Sequence, residues 1–180
     1  MSFFVLEPEV AGGLGETTIL DNTTHPPLVA TLEYAFDTWL GDDLLEAFPC
    51  YIVTERLRNA LDNSGFTGFG FDDVTITASD FFQETVAYPY TSSTLPKFYW
   101  LKVGGQAGED DFGIHNTLRP RIPIRAKVSI TPKGKKVNIR RRAYIEAQWV
   151  GHYRLVVSER ALGLLRSFQL EHCLILHFHT

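Results

Sequence analysis

The stretch Ile52-Val53-Thr54-Glu55-Arg56-Leu57-Arg58-Asn59-Ala60-Leu61 decides the fold, because it recurs as Val156-Val157-Ser158-Glu159-Arg160-Ala161-Leu162-Gly163-Leu164-Leu165. Each copy opens with the apolar end of a strand and continues with a hydroxyl residue that can cap a helix. An acid then lies in the first turn, at the positive end of the helix dipole, and an amphipathic helix follows. The repetition predicts two equivalent strand–helix units. It contains no catalytic group, which favours a scaffold that binds.

The rest of the pattern predicts short strands around these two units. Alternating or apolar runs at residues 3–6, 74–77, 97–103 and 173–178 are typical of strands. We therefore expect one α+β domain over residues 1–180, with a mixed, mostly antiparallel sheet that carries two equivalent helices on one side. Residues 41–48 are predicted to form one or two helical turns that end at Pro49.

The composition indicates the size of the core and the expected location of the protein in the cell. A chain of 180 residues with 44% hydrophobic content can bury a good core. Its two cysteines, Cys50 and Cys173, make no disulfide framework, so a reducing, cytoplasmic location is expected. The first residues lack a basic start followed by a long apolar run, and no stretch is long enough to span a membrane. We expect no cofactor.

Charge is distributed unevenly along the chain. Residues 1–118 contain 4 Lys or Arg against 18 Asp or Glu, whereas residues 119–180 contain 13 against 3. Such asymmetry is typical of proteins with a charged partner. The alternative is that the two parts neutralise each other within the fold.

A basic β-hairpin is predicted within an insertion at residues 115–150. Residues 119–142 contain ten Lys or Arg and no acid, and apolar residues alternate with basic ones over residues 121–130. A turn at residues 131–135 and a return strand follow. The hairpin predicts nucleic-acid binding as an alternative function, a solvated ribbon, or a homodimer through its strand edges. No recognised nucleic-acid motif accompanies it, so we do not expect nucleic acid to be the main partner.

Three acidic clusters, at residues 42–46, 72–73 and 109–111, predict turns and caps or a negative surface that captures a basic protein. His172, Cys173, His177 and His179 are residue types that bind zinc, but their spacing favours edge histidines, and no metal is expected. The hydroxyls of Thr54 and Ser158 are expected to cap helices, and Cys50 to be a buried thiol. These interpretations predict no enzymatic activity.

The order of features resembles a family of bacterial immunity proteins from polymorphic toxin systems, the eleventh in that numbering and formerly a domain of unknown function. The resemblance covers roughly residues 1–113 and 153–175, and residues 115–150 depart from it. It rests on both Val-Thr/Ser-Glu-Arg units and on four other short motifs: Phe4-Val5-Leu6, Trp39-Leu40-Gly41-Asp42-Asp43-Leu44, Phe71-Asp72-Asp73-Val74 and Phe98-Tyr99-Trp100-Leu101.

What the resemblance implies is an intracellular antidote that binds a cognate toxin and blocks its active or substrate site. Tight binding of this kind depends on a few buried anchors, commonly aromatic residues or arginine. From the acidic clusters, the exposed aromatics and the basic hairpin we predict a set of partner-binding residues: Asp42, Asp43, Glu46, Tyr88, Tyr90, Glu109, Asp110, Asp111, Lys133, Lys135, Lys136, Arg140, Arg141, Arg142 and Trp149.

Overall fold

The computed structural model describes residues 1–24, 26–80, 82, 94–120 and 149–179, with the backbone alone at residues 117–120 and 149–152. These residues form thirteen strands and two helices. In chain order they are β1 (Phe3–Glu7), β2 (Gly12–Leu14), β3 (Ile19–Asp21), β4 (Leu28–Thr31), β5 (Glu33–Phe36), β6 (Leu44–Ala47), β7 (Cys50–Thr54), α1 (Glu55–Asp62), β8 (Phe69–Asp72), β9 (Thr75–Ala78), β10 (Phe98–Val103), β11 (Phe112–Pro120), β12 (Trp149–Ser158), α2 (Glu159–Leu165) and β13 (Leu174–His177).

Two antiparallel four-stranded sheets form the body of the protein. Sheet 1 has the strand order β6-β7-β10-β8, and sheet 2 has the order β11-β12-β1-β13. A three-stranded sheet 3, β2-β5-β9, contains the parallel pair β5 and β9, and β3 pairs with β4. The α+β class and the mostly antiparallel pairing are confirmed. The strands are divided among separate sheets, however, rather than joined in the one sheet expected from the sequence.

Sheets 1 and 2 are built to the same plan. We define unit 1 as β1, β6, β7, α1 and β8, and unit 2 as β10, β11, β12, α2 and β13. Each unit runs strand, strand, strand, helix, strand, and the registers agree: Phe98 lies opposite Thr54 in sheet 1, and Phe3 lies opposite Ser158 in sheet 2. The repeated sequence is therefore the central part of a longer structural duplication.

The two units exchange their first strands. β10, which opens unit 2, lies between β7 and β8 of unit 1, and β1, which opens unit 1, lies between β12 and β13 of unit 2. Each sheet therefore contains one strand from the other unit, and neither sheet is complete without both units.

One apolar core holds both helices against both sheets, and equivalent residues of the two units occupy it. Each buried aliphatic side chain in such a core contributes about 1.5–3 kcal/mol. The equivalent pairs are Leu6 with Leu101, Leu44 with Phe112, Tyr51 with Leu155, Val53 with Val157, Leu57 with Ala161, and Leu61 with Leu165.

A second core lies on the opposite face of sheet 1, where sheet 3 packs. It is built largely from aromatic side chains, among them Tyr34, Phe36, Trp39, Phe98 and Trp100. Strands of sheet 1 are therefore apolar on both faces.

The prediction of helical turns at residues 41–48 is wrong, since residues 44–47 form strand β6. The side chain of Leu44 enters the first core, whereas those of Leu45 and Ala47 enter the second. A strand that is buried on both faces carries consecutive apolar residues, and over so few positions these imitate the spacing of a helix. The turn into β7 contains the cis peptide bond between Phe48 and Pro49.

The flanks of the predicted insertion form an antiparallel pair, from Phe112 opposite Val157 to Pro120 opposite Trp149. Residues 119 and 120 of the predicted basic hairpin belong to β11, and the rest of that hairpin, residues 121–142, lies outside the described part of the chain. Neither described helix has the length and apolar character that a membrane crossing requires.

Candidate functional site

Asp111 lies immediately before β11 and is the centre of a buried polar cluster. Arg160 donates from Nε to Asp111 Oδ1 at 2.6 Å and from Nη2 to Oδ2, and Ser158 Oγ donates to Oδ1 at 2.6 Å. The backbone N–H of Thr67 donates to Oδ2 at 3.0 Å. The carboxylate is 4% exposed. Hydrogen bonding to the Arg160 guanidinium lowers the pKa of Asp111 to about 2.

Asp43 lies immediately before β6 and repeats this arrangement in unit 1. Arg56 donates from Nε to Asp43 Oδ1 and from Nη2 to Oδ2, both at 2.6 Å. Thr54 Oγ1 donates to Oδ1, and the backbone N–H of Gln169 donates to Oδ2 at 2.9 Å. Two parallel N–H donors on a carboxylate make the strong, bidentate form of the ion pair.

Each of these aspartates also joins the two units. The Thr67 N–H that Asp111 accepts follows α1 of unit 1, and the Gln169 N–H that Asp43 accepts follows α2 of unit 2. Both clusters therefore hold the loop that leaves the other unit's helix. This role explains the buried acids and both arginines as parts of the fold.

Ser158 and Thr54, the hydroxyl residues of the two clusters, differ in whether they cap the helix that follows. Ser158 Oγ accepts the Ala161 N–H at 3.2 Å, so the predicted cap of α2 is confirmed. Thr54 makes no side-chain cap of α1, and that prediction is wrong. Its hydroxyl donates to Asp43 instead.

A third polar cluster, of Glu9, Asp42 and His172, brings together ligand types that suit a metal, within 4.8 Å of one another. Backbone N–H groups already bond to these carboxylates: Leu40 donates to Glu9 at 2.7 Å, and His172 donates to Asp42 at 2.9 Å. The His172 ring lies 3.0 Å from Asp42 through Nδ1, and this hydrogen bond raises the pKa of His172. The cluster ties the chain after α2 to the residues that precede β6.

An open cleft lies over the start of α1. We call it the α1 cleft and define it by Trp39, Leu40, Glu55, Arg56, Lys97 and Glu171. Its volume is about 800 Å³. Asp42 and Asp43 contribute to its lining, but they are 1% and 0% exposed and their carboxylates are engaged as described above.

In unit 2 a cavity lies beside Ser2, the residue equivalent to Lys97 of the α1 cleft. The correspondence is fixed by Lys97, whose carbonyl accepts the Glu55 N–H at 2.8 Å, and by Ser2, whose carbonyl accepts the Glu159 N–H at 2.9 Å. The cavity beside Ser2 has a volume of about 340 Å³, and its lining includes Phe178. No residue of α2 contributes to this cavity, whereas Glu55 and Arg56 of α1 line the α1 cleft.

The structure separates the predicted partner-binding residues. Asp42, Asp43 and Asp111 are buried, which departs from the prediction that they contact a partner, since their carboxylates face the interior groups that they bind. Glu109 is exposed and Asp110 is half-buried. The backbone of Trp149 lies in β12. The remaining predictions, Tyr88, Tyr90, Lys133, Lys135, Lys136, Arg140, Arg141 and Arg142, fall outside the described residues.

Glu46 lies in a different place, half-buried in a cavity with Glu7, Phe48 and Tyr153. Burial raises the pKa of Glu46 to about 7. Cys50 is buried, as predicted, and burial raises the pKa of its thiol to about 12. A neutral thiol of this kind is a poor nucleophile.

The pairing of Asp43 with Arg56 and of Asp111 with Arg160 is absent from the predictions above. A signal for it exists, because an acid pair followed by an apolar residue precedes both repeats: Asp42-Asp43-Leu44 and Asp110-Asp111-Phe112. Each unit therefore contains one such acid pair and one Glu-Arg dipeptide, which indicates that Asp43 pairs with Arg56 and Asp111 with Arg160.

No protein-family model matches this sequence, and searches of curated proteins and of solved structures found no significant match.

Proposed function

We propose that the protein is a non-enzymatic binder that neutralises a cognate bacterial toxin, and that the α1 cleft forms part of its contact surface. The observation that carries the proposal is the duplicated Asp–hydroxyl–Arg cluster. The acids and arginines that most resemble catalytic groups are used twice, in the same way, to hold the units together. This leaves the exposed residues of the α1 cleft free to contact a partner.

The lining of the cleft suits a protein partner. Leu40 is 45% exposed and lines the cleft together with the exposed acids Glu55 and Glu171. An exposed apolar residue with charged neighbours is a common composition for a protein interface, where a buried centre is surrounded by a polar rim. The acidic excess of residues 1–118 favours a basic partner and would speed its capture.

The function is tested by recovery of the partner. The tagged protein would be used as bait at near-physiological salt with nuclease present, and a partner retained in a one-to-one ratio would be identified by mass spectrometry. We expect a toxin-like protein whose activity the purified protein blocks stoichiometrically. Turnover of a small substrate that a single point substitution abolishes would overturn the proposal.

The place of binding is tested by a matched pair of charge reversals. Glu171→Lys changes the rim of the α1 cleft, and Glu16→Lys changes an exposed acid outside it. Calorimetric titration with the recovered partner should show at least about a tenfold weaker affinity for Glu171→Lys, equivalent to 1.4 kcal/mol. Glu16→Lys should bind like the wild type. Equal affinities for the two variants would remove the cleft from the proposal while leaving the neutralising function to the first experiment.

A further inference from the structure

Strand β13 is an edge of sheet 2, and among the described residues it pairs with β1 only. Its side chains Leu174 and Leu176 are 51% and 41% exposed. The equivalent strand of unit 1, β8, has Gly70 and Asp72 at the equivalent positions of its pairing with β10. Exposed strand edges normally carry charge, which prevents them from pairing with another chain. β8 has this protection and β13 does not.

The other edges of sheets 1 and 2 agree with this contrast. β6 contains Glu46, β8 contains Asp72, and β11 contains Arg119. β13 consists of Leu174, Ile175, Leu176 and His177 and contains no Asp, Glu, Lys or Arg. On the same face of sheet 2, Glu7 of β1 lies opposite Leu174 and forms an ion pair with Arg154 at 3.5 Å. A second chain could therefore pair with this edge without meeting an Asp, Glu, Lys or Arg side chain on β13 itself.

The hydrogen-bonding groups of Ile175 point toward the open edge. Phe178 N–H donates to the Phe3 carbonyl at 2.9 Å, and the register places Val5 opposite Leu176. Because hydrogen-bonded and non-hydrogen-bonded pairs alternate in an antiparallel ladder, Leu176 and Phe178 bond toward β1. The N–H and carbonyl of Ile175 consequently face away from β1.

We propose that β13 is a self-association edge, which pairs antiparallel with β13 of a second copy about a two-fold axis at Ile175. The sequence Leu174-Ile175-Leu176 is the same in both directions, so Leu174 of each copy meets Leu176 of the other. The two Ile175 residues exchange backbone hydrogen bonds, and the apolar row Leu155, Leu6 and Ile175 continues into the second copy. The pairing joins two copies of sheet 2 into one eight-stranded sheet and is independent of the proposed function.

The expected dimer is weak. One short strand from each copy gives an interface at the small end of specific interfaces, below about 1,200 Å². We therefore expect a dissociation constant on the order of micromolar and a population that depends on concentration.

Sedimentation velocity at protein concentrations of about 1 to 200 µM covers values below and above such a dissociation constant. The wild type should shift from the 20.4 kDa monomer toward a species of twice that mass. Leu176→Asp, which copies Asp72 of the equivalent strand, should stay monomeric throughout. Leu28→Asp, at a leucine that is 61% exposed in β4, is the matched control and should dimerise like the wild type. A wild type that is monomeric throughout, or a dimer that Leu176→Asp leaves intact, would overturn the proposal.

Cysteine cross-linking tests the register directly. In the proposed pairing Leu174 lies opposite Leu176 of the second copy at a Cα separation of about 4.5 Å, within the range that a disulfide spans. In a Cys173→Ser background, a mixture of the Leu174→Cys and Leu176→Cys proteins should form a disulfide-linked dimer under mild oxidation. Either protein alone should form far less. Equal cross-linking in all three samples, or none in the mixture, contradicts the two-fold pairing.

Discussion

Arg160 binds both carboxylate oxygens of Asp111, and this ion pair secures more than one sheet. Arg160 belongs to α2. The Thr67 N–H, which also donates to this carboxylate, belongs to the loop after α1. Arg56 and Asp43 form the equivalent ion pair in unit 1. The four side chains therefore hold together the loops by which the two units meet.

Replacing Arg160 by Ala should destabilise the protein by about 2–3 kcal/mol, since it leaves the buried Asp111 carboxylate without its cation. Arg160→Lys should recover only part of this loss, because an ammonium group cannot donate two parallel bonds. Chemical denaturation measures both effects. Arg166→Ala, at an exposed arginine after α2, should stay within about 0.5 kcal/mol of the wild type. A loss equal to that of Arg166→Ala would contradict the structural role of the ion pair.

Asp111 should make the protein sensitive to acid. Its folded pKa of about 2 lies below the ordinary value of 3.8, so the stabilisation is complete above pH 3.8 and is lost as the pH falls toward 2. The difference corresponds to about 2 kcal/mol. Denaturation at a series of pH values should show a shallower acid limb for Asp111→Asn than for the wild type. Parallel acid limbs for the two proteins would show that the fold does not lower the pKa of Asp111.

Glu46 should have the opposite effect. Its folded pKa of about 7 lies above the ordinary value of 4.5, so the unfolded chain ionises first and stability falls as the pH rises between these values. Glu46→Gln should therefore match the wild type at pH 4. It should be more stable at pH 8 by about 1–2 kcal/mol, after a discount for the partial exposure of the group. Thermal melts at the two pH values measure this difference in stability between the variant and the wild type. The variant would be the less stable protein at pH 8 if the fold stabilised the charged carboxylate.

Ser158 and Thr54 should respond differently to loss of the hydroxyl. Ser158→Ala removes a bond to Asp111 and the cap of α2, whereas Thr54→Val removes a bond to Asp43 alone. Caps contribute about 1 kcal/mol, so Ser158→Ala should be the more destabilising by about that amount. Hydrogen exchange of the first turn of α2 would locate the difference. Equal losses of stability, with no change in exchange at α2, would count against the cap.

The local parts of the fold could be predicted from the sequence. The repeated strand–helix pattern predicts β7 with α1 and β12 with α2, because a strand end, a hydroxyl, an acid and an amphipathic spacing are all carried by neighbouring residues. The strand around Trp100 is apolar enough to be predicted as well. By contrast, the sequence predicts helical turns at Leu44 and Leu45, since no local pattern reveals that opposite faces of β6 meet different cores.

The relationships between distant residues could not be predicted in the same way. The bond between Gln169 and Asp43 joins positions far apart in the chain and depends on how the units meet. The burial of Asp42 and Asp43 has the same origin: an acid pair is normally exposed, and only the donors that surround it make its burial tolerable. The α1 cleft likewise depends on residues that are far apart in the chain, among them Leu40, Lys97 and Glu171.

The exchange of first strands has a consequence for synthesis. The ribosome makes β1 before the other described strands, but both neighbours of β1, β12 and β13, belong to the last part of the described chain. Contacts of such long sequence separation form slowly, because a large loop must close before they are made. During translation the Val5 and Leu6 side chains therefore stay without these neighbouring strands while most of the described chain is made. This apolar surface is exposed to aggregation for longer than that of the early, local β6–β7 hairpin.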